Sequence, residues 1–314
     1  MDRLIRYAQG IYAIDADYVR PRMASIHLLV ENGRIAFVDT GNNESLVAAL
    51  AALEALELDV QSVDYVILTH IHLDHAGGAG AMMRAFPNAR LLVHPRGARH
   101  MADPTKLVAG AVAVYGAAEV RRLYGDVLPI DATRIIEATH ELSVNLAGRE
   151  LVCLDTPGHA RHHICILDRR SGNIFTGDTF GLSYRELDTE GRQFIFPTTT
   201  PVQFDPDALH ASLDLLVSYQ PQAMYLTHFS EVTDVAAKAV ELHRLIDAHL
   251  EIARREQNSG QERHSRIRAG LAHLLVDEAK RFGCRLPPAE ILAVYATDLD
   301  LNALGLVVWL DSQR

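Results

Sequence analysis

The segment Thr69-His70-Ile71-His72-Leu73-Asp74-His75-Ala76-Gly77-Gly78 sets three imidazoles and a carboxylate within six residues. Neutral imidazole suits zinc and other borderline ions, and a carboxylate can bridge two cations. Burying four such groups together without a metal would be costly. Three further candidates each follow an apolar run: His159 in DTPGHA, Asp178 in FTGDTF and His228 in YLTHFS. Taken singly, these are more often hydrogen-bonded strand-end histidines and a turn-forming aspartate. Beside the 70–75 cluster they become ligand candidates. Seven ligands are too many for one tetrahedral ion that keeps an open position. They divide as His70, His72 and His159 on one ion and Asp74, His75 and His228 on the other, with Asp178 bridging. Two ions about 3.5–4 Å apart can share a water and ionise it near neutral pH. Two divalent ions are therefore expected, zinc first, with iron or manganese as alternatives.

The elements that must position these residues are strands with turns behind them. Residues 26–31 and 34–39, split by Asn32-Gly33, read as a hairpin with a two-residue turn. Residues 63–69 suit a central strand, and 90–94, 150–155, 163–168, 173–177 and 223–227 read as further strands. Helices are expected over 45–57, 77–86 and 106–124, with Gly110 and Gly116 as weak spots, and from Asp205 to about Ser218. Glycines 77 and 78 let the ligand loop pass close to the metals. This mixture predicts layered α/β, with the candidate ligands at strand ends where sites form in open sheets. Beyond about residue 232 strands vanish and periodic Leu, Ile and Ala dominate. Residues 257–260 separate two helices there, and Pro287-Pro288 opens a further short one. The division expected is 1–235 as catalytic domain and 236–314 as helical subdomain.

Composition excludes some functions. The 314 residues are 48% hydrophobic, enough for a substantial core, and the net charge of -10 argues against a general nucleic-acid binder. No apolar run approaches the ~20 residues a membrane-spanning helix needs. The start, MDRLIRYAQGIYAID, lacks a secretory pattern, so the expected location is cytoplasmic, with no membrane partner. The three cysteines, Cys153, Cys165 and Cys284, form no C-x-x-C pair and read as reduced thiols.

At these residues the chain resembles the metallo-β-lactamase-fold superfamily over approximately residues 10–230. The likeness rests on THIHLDHAGG, the His159 and Asp178 motifs, the late His228, and FVDTGN at 37–42. It implies an αββα sandwich with a dimetal site at one edge, followed here by a C-terminal helical extension. Asp39 matches a family position near the site that is usually structural and not a ligand. The ligand set looks like the glyoxalase II, lactonase and phosphodiesterase branches. Flavodiiron proteins usually carry Glu where His72 stands, and the true β-lactamases have Cys near the Asp178 position. The segment TPGHARHH departs from the glyoxalase-like TPGHTPGH, with His162 in place of glycine, which weighs against a glutathione thioester. The overall likeness is to prokaryotic members whose substrates are undefined.

The activity implied is attack by a metal-bridging hydroxide on an ester, lactone, thioester or phosphodiester, with Asp74 as the catalytic carboxylate. The rival activity is that of a mono-iron persulfide dioxygenase, which reuses a subset of these ligands. Arg22, Tyr184 and His162 are candidate contacts to a small-molecule substrate, although solvated arginine and packed tyrosine are equally ordinary readings. His94, His100, His140, His210 and the histidines of the tail have no motif support and are read as ordinary. The helical tail is open to a role as homodimer interface or substrate wall.

Overall fold

A computed structural model describes residues 4–313. Contacts divide the chain into two compact units, both discontinuous in sequence. One holds the chain up to Asp155, then 162–177 and 224–230; the other holds 156–161, 178–223 and the chain from Glu231 onward. The sequence suggested a single cut after residue 235. In the contacts, two segments upstream of that point group with the helical tail, because each leaves a strand end and continues as loop or helix.

In the first unit, seven strands form one sheet in sequence order: β1 (Leu4–Arg6), β2 (Ile11–Asp15), β3 (Ser25–Glu31), β4 (Arg34–Val38), β5 (Val63–Ile67), β6 (Arg90–Val93) and β7 (Ile135–Glu137). β1 to β4 pair antiparallel and β4 to β7 parallel. The β3–β4 hairpin closes at Asn32 and Gly33, whose φ values of 47° and 75° are those of a primed two-residue turn that matches strand twist. The second sheet runs β12 (Met224–Leu226), β11 (Ile174–Gly177), β10 (Ile164–Asp168), β9 (Arg149–Asp155), β8 (Ser143–Leu146) within this unit. Only its β11–β12 pair is parallel.

The two sheets share one core. Ala36 and Val38 from β4, Ile67, Leu92, Leu151 and Cys153 from β9, Ile164 and Ile166 from β10, and Phe175 form a single buried cluster. The alternation 36/38, 151/153 and 164/166 is the period of two that directs one strand face inward. The opposite face of the first sheet meets helices, as where Phe37 stacks on Phe86 with ring centroids 5.2 Å apart. The unit's helices are α1 (Leu46–Ala55), α2 (Leu73–Ala76), α3 (Ala79–Ala85), α4 (Pro95–Ala102), α5 (Thr105–Tyr115) and α6 (Ala117–Tyr124); α1 lies beside β2, α3 beside β5 and α4 beside β7, while α5 has no buried residue and lies beside α4 and α6. The helix expected over 106–124 is two, because Gly116 at φ 81° ends α5, whereas Gly110 does not interrupt it. Cys153 and Cys165 are buried thiols, the second donating to the Thr176 carbonyl at 3.6 Å, and Cys284 is half-buried.

The second unit holds α7 (Pro206–Ser218), α8 (Val235–Arg255), α9 (Arg263–Phe282), α10 (Pro288–Val294) and α11 (Ala296–Ser312). Asp205 caps α7 by accepting from the Ala208 amide at 3.1 Å, with Pro206 at the first helical position. The tail beyond Pro287 is one short helix and then a longer one, α11, which the sequence reading did not separate. Asn302 anchors α11: its side-chain oxygen accepts from the Thr199 amide at 2.7 Å and its amide donates to the Pro197 carbonyl at 3.1 Å. Among the described residues no single helix is long and apolar enough to cross a membrane.

Candidate metal centre

β5 ends at Ile67 and the candidate ligand segment follows at once, with His72 at the N-terminal boundary of the short helix α2 and Asp74 and His75 inside it. An aspartate in a helix's first turn suits the positive end of its dipole. The segment is tied to the loop after β4: the Thr40 amide and hydroxyl both donate to the His75 carbonyl, at 2.8 and 2.7 Å, and the Gly78 amide donates to the Gly41 carbonyl at 2.9 Å. A Cβ at Gly78 would lie 2.4 Å from the Asn42 carbonyl oxygen, so only glycine permits this approach.

Asp39 organises the first unit's part of the site. It is fully buried, at the end of β4 in a left-handed conformation (φ 60°) that costs a non-glycine residue about 1–3 kcal/mol. Its carboxylate accepts the Thr69 amide at 2.8 Å, the Thr69 hydroxyl at 2.9 Å, the Thr227 hydroxyl at 2.6 Å and Nδ1 of His75 at 2.9 Å. Thr69 and Thr227 each precede a candidate ligand, His70 and His228.

These contacts decide which ring nitrogens face the site. A carboxylate and a carbonyl can only accept, so His75 carries its proton on Nδ1, and so does His228, which donates to the Met23 carbonyl at 2.7 Å. With the ring neutral, each then turns an Nε2 lone pair toward the same oxygen, Asp74 Oδ2, at 3.5 Å from His75 and 3.4 Å from His228. Lone pairs facing a carboxylate repel unless a cation lies between. Two atoms each about 2.1 Å from one tetrahedral ion stand roughly 3.4 Å apart, so the spacing is that of ligands sharing a metal. The donor atoms of Asp74, His75 and His228 all lie within 4.8 Å of one another, and their chemistry fits a divalent ion.

His70 follows the same logic. The Thr69 hydroxyl proton goes to Asp39, so Nδ1 of His70 donates to Thr69 Oγ1 at 3.2 Å, leaving Nε2 to face Nδ1 of His72 at 3.0 Å. In the second unit His159 Nε2 lies 3.4 Å from Asp178 Oδ2, again at ligand spacing. The loop before His159 depends on Gly158, whose φ is 131° and whose absent Cβ would sit 2.4 Å from the Leu209 backbone at the start of α7.

The candidate substrate contacts fare unequally. His162 lies against the cluster, its ring 5.6 Å from that of His72 and 6.2 Å from that of His70. Burial, reinforced by the neighbouring His72, His163 and His94, pushes it down to about 2, so it is a neutral imidazole there. Tyr184 is fully buried in the second unit, its hydroxyl donating to Asp298 at 3.2 Å and its ring 4.8 Å from that of Tyr295, which is the packing reading. Arg22 is half-buried, and its amide donates to Asp15 at 2.9 Å. The reading from sequence did not identify the Met23 carbonyl or the two threonines as the groups that set ring orientation. The repeated Thr-His pair was the available signal.

Comparison with known proteins bears on this arrangement. Residues 19–228 match the family model described as the metallo-beta-lactamase superfamily. Metallo-beta-lactamase fold-containing protein ST1585 of Sulfurisphaera tokodaii is 27% identical over 225 residues, covering 70% of this chain and 78% of that one. Its solved structure, described as an archaeal metallo-beta-lactamase superfamily protein, aligns with a TM-score of 0.64 at 23% identity, covering 96% of this chain and 99% of that one. A hydroxyacylglutathione hydrolase of Xanthomonas campestris is 28% identical over 186 residues, 59% of this chain and 54% of its own length. An atrochrysone carboxyl ACP thioesterase of Aspergillus fumigatus is 30% identical over 153 residues, 45% of this chain and 35% of its own length.

Proposed function

The chain belongs to the metallo-beta-lactamase superfamily and has its mixed α/β fold with a C-terminal helical extension, and from that premise we propose a dinuclear metal-dependent hydrolase acting on acyl thioesters or esters. The observation that carries the reading is the convergence of His75 and His228 on Asp74 Oδ2 with both Nδ1 protons held elsewhere. That trio makes a second metal position, which the mono-iron dioxygenase alternative does not require. In this reading His70, His72 and His159 would hold one ion, Asp74, His75 and His228 would hold the other, and Asp178 would be shared by the two.

Bound divalent ions, zinc first among them, would supply Lewis acidity and a water of lowered pKa. The chain's own residues do the rest. Asp39 fixes His75 and, through Thr69, His70, so the imidazoles meet the ions without reorganising. Asp74 would orient the attacking water through the oxygen not shared with His75 and His228, take up the proton that the water gives up, and pass it to the leaving group. His162, kept neutral by burial, sits beside His70 and His72 without adding charge. The thioester class is supported by two relatives whose names denote thioester cleavage, while the His162 departure from the glyoxalase-like segment turns the choice away from glutathione.

Elemental analysis of protein purified without added metal, together with release of thiol from a panel of acyl thioesters and of alcohol from esters, tests the reading. About two divalent ions per chain with turnover of an acyl substrate is the expected result. One iron per chain with oxygen uptake would replace it by the dioxygenase.

A further inference from the structure

The hexad Leu-His-X-X-X-Asp occurs once on α7, as LHASLD with His210 and Asp214. On α8 it recurs nearly unchanged as LHRLID, with His243 and Asp247. Leu209 and Leu213 of the first copy and Leu242 and Ile246 of the second are buried, which seats both hexads on the second unit's core. The polar positions then pair reciprocally across the two helices. His210 Nε2 meets Asp247 at 3.4 Å and His243 Nε2 meets Asp214 at 3.2 Å. The ring planes are nearly parallel, 5° apart, with centroids 4.9 Å apart and Nδ1 atoms 2.6 Å apart, so the rings meet edge to edge through their Nδ1 atoms.

The chemistry of that approach is constrained. A carboxylate beside each Nε2 favours the tautomer that carries its proton there. Both Nδ1 atoms would then aim lone pairs at one another, and a cation between them relieves the repulsion. A proton can serve, but so can a borderline divalent ion once the rings part to roughly 3.3 Å, the separation of two nitrogens on one tetrahedral ion. A carboxylate on the far nitrogen is also how protein metal sites orient and strengthen an imidazole ligand. The histidine side chains are 25% and 29% exposed, so water can reach the remaining coordination positions.

We propose that His210 and His243, backed by Asp247 and Asp214, form a separate site for a borderline divalent cation such as zinc that clips α7 to α8. It shares no residue with the candidate hydrolytic centre, so its fate is independent of the reading given there.

Equilibrium dialysis against zinc at neutral pH, followed by elemental analysis, compares the wild-type chain with a His210→Ala/His243→Ala variant. The expected result is one more ion per chain in the wild type than in the variant, whatever number the hydrolytic centre holds. Asp214→Asn with Asp247→Asn keeps both rings and guards against a folding defect in the first variant; the extra ion should then bind about 10- to 100-fold more weakly. Equal zinc content and equal affinity in all three proteins would overturn the proposal and leave a proton as the only occupant.

Discussion

Asp39 Oδ2 accepts Nδ1–H of His75 at 2.9 Å, and both side chains are wholly excluded from solvent. The bond fixes the tautomer that points Nε2 at Asp74, and the same carboxylate receives Thr69 and Thr227. Asp39→Asn keeps the volume but replaces an acceptor-only group by one that must place an NH2 among donors. Zinc affinity should fall about 10- to 100-fold. Competition with a chromophoric chelator measures it, and undiminished affinity would remove Asp39 from the metal-positioning role.

Asp74→Asn should spare the fold, since this side chain is 24% exposed. It should lower kcat about 10²-fold or more, as loss of a positioned acid–base group does. Circular dichroism and steady-state kinetics on the same preparation separate the two effects, and wild-type turnover in the variant would exclude the proposed role.

Gly158→Ala should disturb His159 without touching it. The added methyl would sit 2.4 Å from the Leu209 backbone, and φ 131° is unfavourable for any side chain. Metal content per chain should drop and the thermal midpoint with it. A variant that keeps both would show that the loop tolerates displacement.

Arg149 is completely buried on β9, with Nε and Nη2 on Asp168 at 2.9 and 2.6 Å and Nη1 on the Gln9 carbonyl at 2.8 Å. Removing the guanidinium leaves the buried Asp168 carboxylate without its counter-charge, so Arg149→Met should cost about 3–5 kcal/mol in urea denaturation. Adding Asp168→Leu should not recover that loss, because the same carboxylate accepts the Arg170 and Ser171 amides at 3.1 and 3.3 Å and the Ser171 hydroxyl.

Stability should rise with pH between about 4 and 6.5 through two buried histidines. Burial pushes His27 down to about 4, against a weaker opposing effect of Asp39. It pushes His249 down to about 4 as well, partly countered by the bond to the Leu245 carbonyl. Within that window the unfolded chain binds protons that the folded chain does not, so stability falls on acidification from 6.5 and levels off below 4. Each residue contributes a slope of at most about 1.4 kcal/mol per pH unit. His249→Phe should flatten the slope by roughly that amount, read from urea midpoints at pH 5 and 6.5. An unchanged slope would mean that His249 does not remain neutral.

Much of the site was legible in the residues. Types and spacing alone marked His70, His72, Asp74 and His75 as candidate ligands, because so dense a set is hard to bury otherwise, and Asn32-Gly33 announced its hairpin because both positions need positive φ. Local pattern also located β5, β9, β10 and α7 within a residue or two, since period and caps act over short range. What it could not reach was anything that depends on groups far apart in the chain. Asp39 joins Thr69, His75 and Thr227 across as many as 188 residues, and the Met23 carbonyl sets the tautomer of His228 across 205. Those relations exist only once the sheets have packed. The pairing of His210 with His243 is of the same kind: two ordinary helix histidines in sequence become one pair when α7 meets α8. Ligand identity is a property of side-chain type, which sequence carries directly. Ring orientation and partner choice are properties of tertiary contact, decided by which distant carbonyl, hydroxyl or carboxylate the fold brings alongside.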